Sequence, residues 1–177
     1  PKSYLLVLSA DHKIENSEKF RLTIEKGLID AEENKIVTFG VVPTKPETGY
    51  GYIEAKDEIT ENRKSSFINK FIEKPNKELA KKLYKDKHNL WNSGIFLFKS
   101  SIILEELNKF ESELVNTCKI ALSKSKKDLD FIRLEKDSFA KSINKSIDTA
   151  VMEKTKIGKV VPLDVGWSDL GSWNSIY

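Results

Sequence analysis

The chain has 177 residues, which is long enough for one domain with a buried core. Apolar residues make up 39% and charged residues 32% of the chain, which excludes a disordered protein, and the interleaved charges exclude a basic nucleic-acid-binding arm. One cysteine and two histidines exclude a disulfide framework and a Cys/His zinc site. Because no apolar run approaches a membrane span and no signal peptide is evident, we expect a cytoplasmic protein without a membrane or nucleic-acid partner.

The pattern of apolar residues predicts alternating strands and helices. Tyr4–Leu8 is a continuous apolar run, which predicts a strand buried on both faces of a parallel sheet. A helix capped by Ser17 follows and ends near residue 34. Further strands are predicted over 36–42, 50–55, 67–72, 90–98 and 159–163, further helices from 76, from 100, over 114–122 and over 147–154, and a loop over 166–172. This alternation predicts an α/β fold with a mixed or largely parallel sheet flanked by helices, in a single domain.

Polar residues after the predicted strands are candidate site residues, because ligands of α/β sheets collect beyond the carboxyl ends of the strands. Asp11 follows the first predicted strand and Asp169 follows the last. Two carboxylates from distant positions are a ligand set that suits Mg²⁺. An isolated aspartate is more often an ordinary loop residue, so the interpretation depends on the strand end before Asp11 and on the two glycines and two tryptophans of Gly166–Trp173.

Two further stretches are candidates for binding a sugar phosphate. Thr48–Gly51 could bring bare backbone N–H groups close to a ligand oxygen, although a tight turn explains its two glycines equally well. Glu73 could accept hydrogen bonds from sugar hydroxyls and Lys74 could meet a phosphate, at a strand end that Pro75 is expected to hold extended. An exposed salt bridge is the simpler interpretation of this pair. Asn92 adds a side-chain amide near the start of a predicted strand.

These stretches occur together, in the order found in one enzyme family. The chain resembles the mannose-1-phosphate guanylyltransferases, which are sugar nucleotidyltransferases. The matching blocks are Val7–His12, Pro43–Ile53, Phe71–Pro75, Leu90–Phe98, Ser146–Lys154 and Asp164–Trp173. The resemblance implies a Rossmann-like, GT-A-like nucleotidyltransferase fold. It also implies that mannose 1-phosphate attacks the α-phosphorus of GTP to give GDP-mannose and pyrophosphate, a reaction that needs positioning and charge neutralisation but no general base.

The resemblance also implies residue roles. Mg²⁺ would be the cofactor, with Asp11 and Asp169 as its ligands, and these two aspartates together with Lys74 would be the catalytic residues. Glu73 and Asn92 would bind sugar hydroxyls, and Lys74 would face the sugar phosphate. The full implied set of substrate-binding residues is Gly49, Tyr50, Gly51, Glu73, Lys74 and Asn92.

The chain departs from the family at its beginning. We expect it to lack the N-terminal glycine-rich loop that wraps the nucleotide triphosphate, so that residues 1–177 form a partial domain with the acceptor and metal half of the site. A missing segment or a second chain would supply the rest, a homo-oligomer is left open, and the chain alone is expected to form essentially no GDP-mannose. The open alternatives are a relative using another sugar or nucleotide, a non-catalytic sugar-phosphate-binding or regulatory subunit, and an α/β interaction domain.

Overall fold

The computed structural model describes residues 3–60 and 65–170. The chain forms two compact units, a first unit up to Ile102 and again from Lys156 onward, and a second unit over Ile103–Thr155. The prediction of a single partial domain is not tested by this division and stays a prediction.

The first unit contains a six-stranded mixed sheet and a two-stranded ribbon. The strands are β1 (Tyr4–Val7), β2 (His12–Ile14), β3 (Ile36–Val41), β4 (Tyr52–Ala55), β5 (Ser66–Ile72) and β6 (Asn89–Lys99), followed after the second unit by β9 (Gly158–Leu163) and β10 (Trp167–Asp169). The sheet has the order β1-β6-β3-β9-β5-β4, with β4 also paired to β6. The β3–β9 pair is parallel and the other pairs of this sheet are antiparallel. In the ribbon, β2 and β10 are antiparallel. The predicted mixed α/β fold is confirmed.

Helices α1 (Ser17–Glu32) and α2 (Lys77–Lys85) of the first unit both begin after an asparagine. The side chains of Asn16 and Asn76 accept hydrogen bonds from backbone N–H groups one turn into each helix, which stabilises the helix start. The predicted cap at Ser17 was therefore wrong by one residue. Helix α1 contributes Phe20, Ile24, Leu28 and Ala31 to the main core, where they join Val37, Phe39, Ile95, Leu97, Val161 and Leu163 of the sheet.

The long strand β6 pairs with three other strands of the sheet. Its C-terminal part pairs with β1, where Phe96 lies opposite Val7, and its N-terminal part pairs with β4, where Trp91 lies opposite Tyr52. Strand β3 pairs with both parts of β6 along the other edge. The strands β1 and β4 therefore share one edge of β6 and leave residues 93–95 of that edge paired with neither strand.

The first strand is where the prediction and the structure differ most. Tyr4–Leu8 was predicted to be buried on both faces of a parallel sheet, and this prediction was wrong. Strand β1 lies at the edge of the sheet, antiparallel to β6, and its four side chains are between 39% and 42% exposed. A continuous apolar run indicates hydrophobicity but does not indicate which faces the rest of the fold covers.

The second unit is mostly helical. It holds most of α3 (Ser100–Phe110), α4 (Ser112–Ser123), the hairpin of β7 (Lys126–Asp128) and β8 (Phe131–Arg133), α5 (Lys136–Phe139) and a π-helical turn (Asp148–Met152). The helices predicted from residue 100 and over 114–122 are confirmed, whereas the hairpin and α5 were not predicted. No helix in residues 3–60 and 65–170 is both long enough and apolar enough to cross a membrane.

Candidate functional site

Three of the residues implied for sugar binding lie against one another where β4, β5 and β6 meet. A Cβ atom at Gly51 would lie 3.0 Å from Glu73 Oε2 and 3.6 Å from Asn92 Cβ. The backbone N–H of Asn92 donates to the carbonyl of Gly51 at 2.8 Å. The strand register explains this contact. Tyr52 lies opposite both Ile72 and Trp91 in antiparallel pairings, so Gly51, which precedes Tyr52, lies beside Glu73 and Asn92, which follow its two partners.

The turn after Asn92 links this trio to the segment that carries Asp11. Asn92 Oδ1 accepts a hydrogen bond from the N–H of Gly94 at 3.1 Å. Gly94 has a φ of +68°, a left-handed conformation that favours glycine. A Cβ atom there would meet Ser9 Oγ at 3.5 Å and His12 Cε1 at 3.8 Å. The turn at Gly94 therefore lies between the trio and the Ser9–His12 segment.

The two aspartates that the sequence singles out lie on neighbouring segments. Asp169 ends β10 and lies opposite His12, the residue after Asp11, in the β2–β10 pairing. Asp11 is exposed in the turn before β2, and Asp169 is half-buried. Two carboxylates fit a Mg²⁺ ion whose other positions are filled by substrate phosphates and water. The part of the chain that the structure describes contains no group of three His, Cys, Asp or Glu side chains that could hold a metal ion. A metal role for the pair stays a prediction.

Aromatic rings join the loop before β4 to the strand that carries Asp169. The Tyr50 ring makes edge contacts with Trp91, at a centroid distance of 5.3 Å, and with Trp167, at 5.5 Å. The Trp167 ring also meets His12 edge-on at 5.2 Å. Such T-shaped pairs are a favourable arrangement of aromatic rings. Trp167 thus contacts both Tyr50, in the Thr48–Gly51 stretch that is predicted to bind the sugar phosphate, and His12, the residue that follows Asp11.

Glu47 organises the loop that leads to Gly51. Its Oε1 atom accepts hydrogen bonds from the N–H groups of Thr48 at 3.0 Å and Gly49 at 3.2 Å, and the Tyr52 hydroxyl donates to its carbonyl at 2.9 Å. The hydrogen bond from Gly49 is the largest cause of a lowered pKa at Glu47, which the nearby Lys45 lowers further. The N–H groups of Thr48 and Gly49 are therefore not bare, contrary to the prediction for this turn. Substrate binding by Gly49 stays a prediction.

Glu73 and Lys74 form an exposed ion pair. Lys74 Nζ lies 3.7 Å from Glu73 Oε1, and the Lys74 and Glu73 side chains are 67% and 50% exposed, respectively. This contact agrees with the simpler interpretation of the pair, and both side chains stay accessible to a ligand. Lys74 has a φ of +38°, so the prediction that Pro75 holds it extended was wrong. A left-handed residue other than glycine costs on the order of 1 kcal/mol, and such residues concentrate at functional sites.

Two residues of the site received no role from the sequence. Glu47 lies two positions before a glycine, a spacing at which a carboxylate can accept the N–H groups of a turn, and this could have identified it. His12 gave no such signal, because its partner Trp167 is remote in the chain.

Comparison with known proteins decides the family. The model of the nucleotidyl transferase family matches residues 1–177. The chain belongs to the nucleotidyl transferase family. It is 48% identical, over 98% of its length, to mannose-1-phosphate guanylyltransferase 2 of Escherichia coli O157:H7, and it spans 37% of that relative. The chain therefore covers little more than a third of the length of this curated relative.

Two solved structures share the fold with this member of the nucleotidyl transferase family. The crystal structure of mannose-6-phosphate isomerase from Helicobacter pylori is 31% identical with a TM-score of 0.83, and the match covers 94% of this chain and 64% of that one. The crystal structure of mannose-1-phosphate geranyltransferase from Thermus thermophilus is 30% identical with a TM-score of 0.80, and the match covers 96% of this chain and 47% of that one. Both matches agree with the predicted nucleotidyltransferase fold.

Proposed function

We propose that this chain is the acceptor and metal part of a mannose-1-phosphate guanylyltransferase, which forms GDP-mannose and pyrophosphate from mannose 1-phosphate and GTP. The observation that carries the proposal is the contact of Gly51, Glu73 and Asn92 beside the paired segments of Asp11 and Asp169. The 48% identity to a relative of that name supports the same activity. A cytoplasmic location and a homo-oligomer remain predictions.

The trio of Gly51, Glu73 and Asn92 has the chemistry to recognise a sugar. A carboxylate accepts hydrogen bonds from hydroxyl groups, and an amide both donates and accepts them. The missing side chain at Gly51 leaves the Glu73 carboxylate room beside the backbone, since a Cβ atom would lie 3.0 Å from Oε2. The exposed Lys74 ammonium, next in the chain, suits the phosphate of the same substrate.

In the proposed reaction no covalent bond to the protein is formed. An oxygen of the sugar phosphate forms a bond to the α-phosphorus of GTP, and the bond from that phosphorus to the bridging oxygen of the β-phosphate breaks, which releases pyrophosphate. The attacking oxygen is already anionic, so the side chains orient the substrates and offset their charge. Asp11 and Asp169 would hold Mg²⁺, which when bound supplies charge neutralisation at the phosphates.

Calorimetric titration with mannose 1-phosphate in the presence of Mg²⁺ tests the acceptor site. We expect binding by the wild-type chain and a loss of affinity of about tenfold in Glu73→Gln, because a charge-assisted hydrogen bond is lost. Glu78→Gln is the matched control, since Glu78 is an exposed carboxylate in the first turn of α2. If the folded wild-type chain binds no mannose 1-phosphate, or if both variants lose the same affinity, the acceptor site is wrong.

Turnover is tested in a polypeptide of the length of the relatives. These 177 residues would replace the matched segment of the Escherichia coli relative, and GDP-mannose formation would be measured against Mg²⁺ concentration. We expect Asp169→Asn to lower kcat at least a hundredfold, whereas Asp164→Asn, whose side chain is 94% exposed, leaves it unchanged. A folded chimera that binds mannose 1-phosphate but forms no GDP-mannose would instead favour a non-catalytic binding subunit.

A further inference from the structure

Each of the two histidines of the chain makes a hydrogen bond through Nδ1, which accepts in His12 and donates in His88. Trp167 Nε1 donates to His12 Nδ1 at 3.2 Å. Because an indole N–H can only donate, His12 Nδ1 must be an unprotonated acceptor and its proton lies on Nε2. His88 Nδ1 lies 2.8 Å from Asp86 Oδ1. An ionised carboxylate can only accept hydrogen bonds, so His88 Nδ1 carries a proton and donates to Asp86.

His12 lies within the candidate site rather than at its margin. It is the cross-strand partner of Asp169, so both side chains lie on the same face of the β2–β10 ribbon. Its Cε1 atom lies 3.8 Å from where a Cβ atom at Gly94 would be, beside the turn that Asn92 holds. The ring is half-buried, and its Nδ1 atom accepts the hydrogen bond from Trp167.

A phosphate that binds beside Asp11 and Asp169 needs hydrogen-bond donors there. When ionised, the carboxylates of Asp11 and Asp169 can only accept hydrogen bonds. They therefore repel phosphate oxygens unless a cation or N–H groups lie between them. A neutral imidazole whose proton lies on Nε2 offers such a donor, and the indole of Trp167 keeps the proton there. His12 thus differs from the lysines of the chain, because it can donate one directed hydrogen bond from a ring that packs edge-on against Trp167.

We propose that His12 binds substrate by donating from Nε2 to a phosphate oxygen, and that Trp167 is a positioning residue that fixes the imidazole in the tautomer this requires. The proposal rests on the proposed function, since it assigns a further residue to the phosphate end of the same site. The ligand class is a phosphate oxygen, carried by the sugar phosphate, the nucleotide or free phosphate.

The tautomer is read directly by long-range proton–nitrogen NMR of the wild-type chain at neutral pH. With only two histidines, the spectrum is assigned by comparison with His88→Gln. We expect His12 to show an unprotonated Nδ1 and a protonated Nε2, whereas His88 shows a protonated Nδ1. In Trp167→Phe, which keeps an aromatic ring but removes the donor, we expect His12 to become a mixture of the two neutral tautomers. A protonated Nδ1 at His12 in the wild type overturns the proposal.

The donor role is tested by titrating the same sample with mannose 1-phosphate, GTP and inorganic phosphate, each compared with mannose. We expect the His12 Nε2 resonance to shift with at least one phosphate ligand and not with mannose. We also expect His12→Phe to weaken binding of that ligand about five- to tenfold, His12→Gln to retain part of the affinity through its side-chain N–H, and His88→Phe to bind as the wild type.

The two proposals fail in different ways. If calorimetry detects mannose 1-phosphate binding while His12 Nε2 is unmoved by every phosphate ligand, the role of His12 is wrong and the proposed function stands. If inorganic phosphate or GTP moves the Nε2 resonance but mannose 1-phosphate does not bind, the role of His12 stands and the proposed function is wrong. If no phosphate ligand binds, both are wrong.

Discussion

Gly51 and Glu73 lie so close that position 51 has no room for a side chain unless the carboxylate moves. A Cβ atom at Gly51 would stand 3.0 Å from Glu73 Oε2, and the contact follows from the antiparallel pairing of β4 with β5. The flexible end of a glutamate can yield by a few tenths of an ångström. A substitution here therefore shifts a proposed sugar-binding oxygen while leaving the strands in place.

Gly51→Ala should weaken mannose 1-phosphate binding more than it destabilises the fold. We expect about a tenfold loss of affinity, because the Glu73 carboxylate is displaced from its hydroxyl partner. Calorimetry measures the affinity, and urea unfolding measures the stability. Glu78→Ala, at an exposed position in the first turn of α2, is the control. Equal losses in the two variants would contradict a special role for position 51.

The loop before β4 should lose stability in acid through Glu47. Hydrogen bonds to its carboxylate, led by that of Gly49, lower the pKa of Glu47, so the folded state favours the ionised form. The stabilising contribution is present above the ordinary glutamate pKa of about 4.5 and is lost as the pH falls through the lower pKa of the folded state.

Urea unfolding of the wild type and Glu47→Gln at several pH values checks this. The difference in unfolding free energy should be constant above about pH 5.5 and should shrink as the pH falls below the ordinary pKa of glutamate. A difference that does not change with pH would mean that the variant acts through shape rather than through the charge of Glu47.

A buried ion pair should matter for the stability of the first unit. Lys159 Nζ lies 2.5 Å from Asp30 Oδ1, with side chains 16% and 9% exposed. Removing one partner of such a pair leaves an uncompensated charge, so Lys159→Met should lower the unfolding free energy by about 3 kcal/mol. Lys156→Met, at an exposed position, is the control. If Asp30→Leu combined with Lys159→Met is less stable than Lys159→Met alone, the stranded charge is not the cause.

The segment that carries Asp169 depends on a glycine. Gly166 has a φ of +65°, and a Cβ atom there would lie 2.7 Å from Glu15 Oε2 and 2.8 Å from Glu15 Cβ. Gly166→Ala should therefore destabilise the chain by about 1–2 kcal/mol in urea unfolding. If the strain is instead relieved by unpairing β10 from β2, hydrogen exchange at residues 167–169 accelerates while global stability changes little. A Gly166→Ala variant that matches the wild type in both measurements would contradict the importance of this turn.

The larger elements could be predicted from the sequence because each spans many residues with a recognisable pattern of apolar residues. Residues 89–99 form a strand that is buried along most of its length, and residues 77–85 form a helix whose start Asn76 marks. Three-residue strands carry no such signal. Strand β10 was predicted to be part of a loop, because Trp167–Asp169 is too short for an alternating pattern to be visible. The remainder of that predicted loop, from residue 171, lies outside the described residues.

The candidate site was predictable where its residues follow strands, and not where they depend on distant partners. Glu73 stood out as a polar residue after a predicted strand and Asn92 as one near the start of a predicted strand, and the register of β4 with β5 and β6 brings both to Gly51. His12 did not stand out, because its significance comes from Trp167, which reaches it only through the β2–β10 pairing. Pairing between short distant strands is a tertiary property that local sequence does not encode.

Mapping the amide NMR shifts of the chain during a titration with mannose 1-phosphate shows whether the sugar phosphate binds where β4, β5 and β6 meet. We expect the largest changes at the amides of Gly51, Glu73 and Asn92, with further changes at the paired residues His12 and Asp169. Changes confined to the second unit, or to the cavity of about 370 Å³ lined by Tyr84, Lys87 and Leu90, would contradict this expectation.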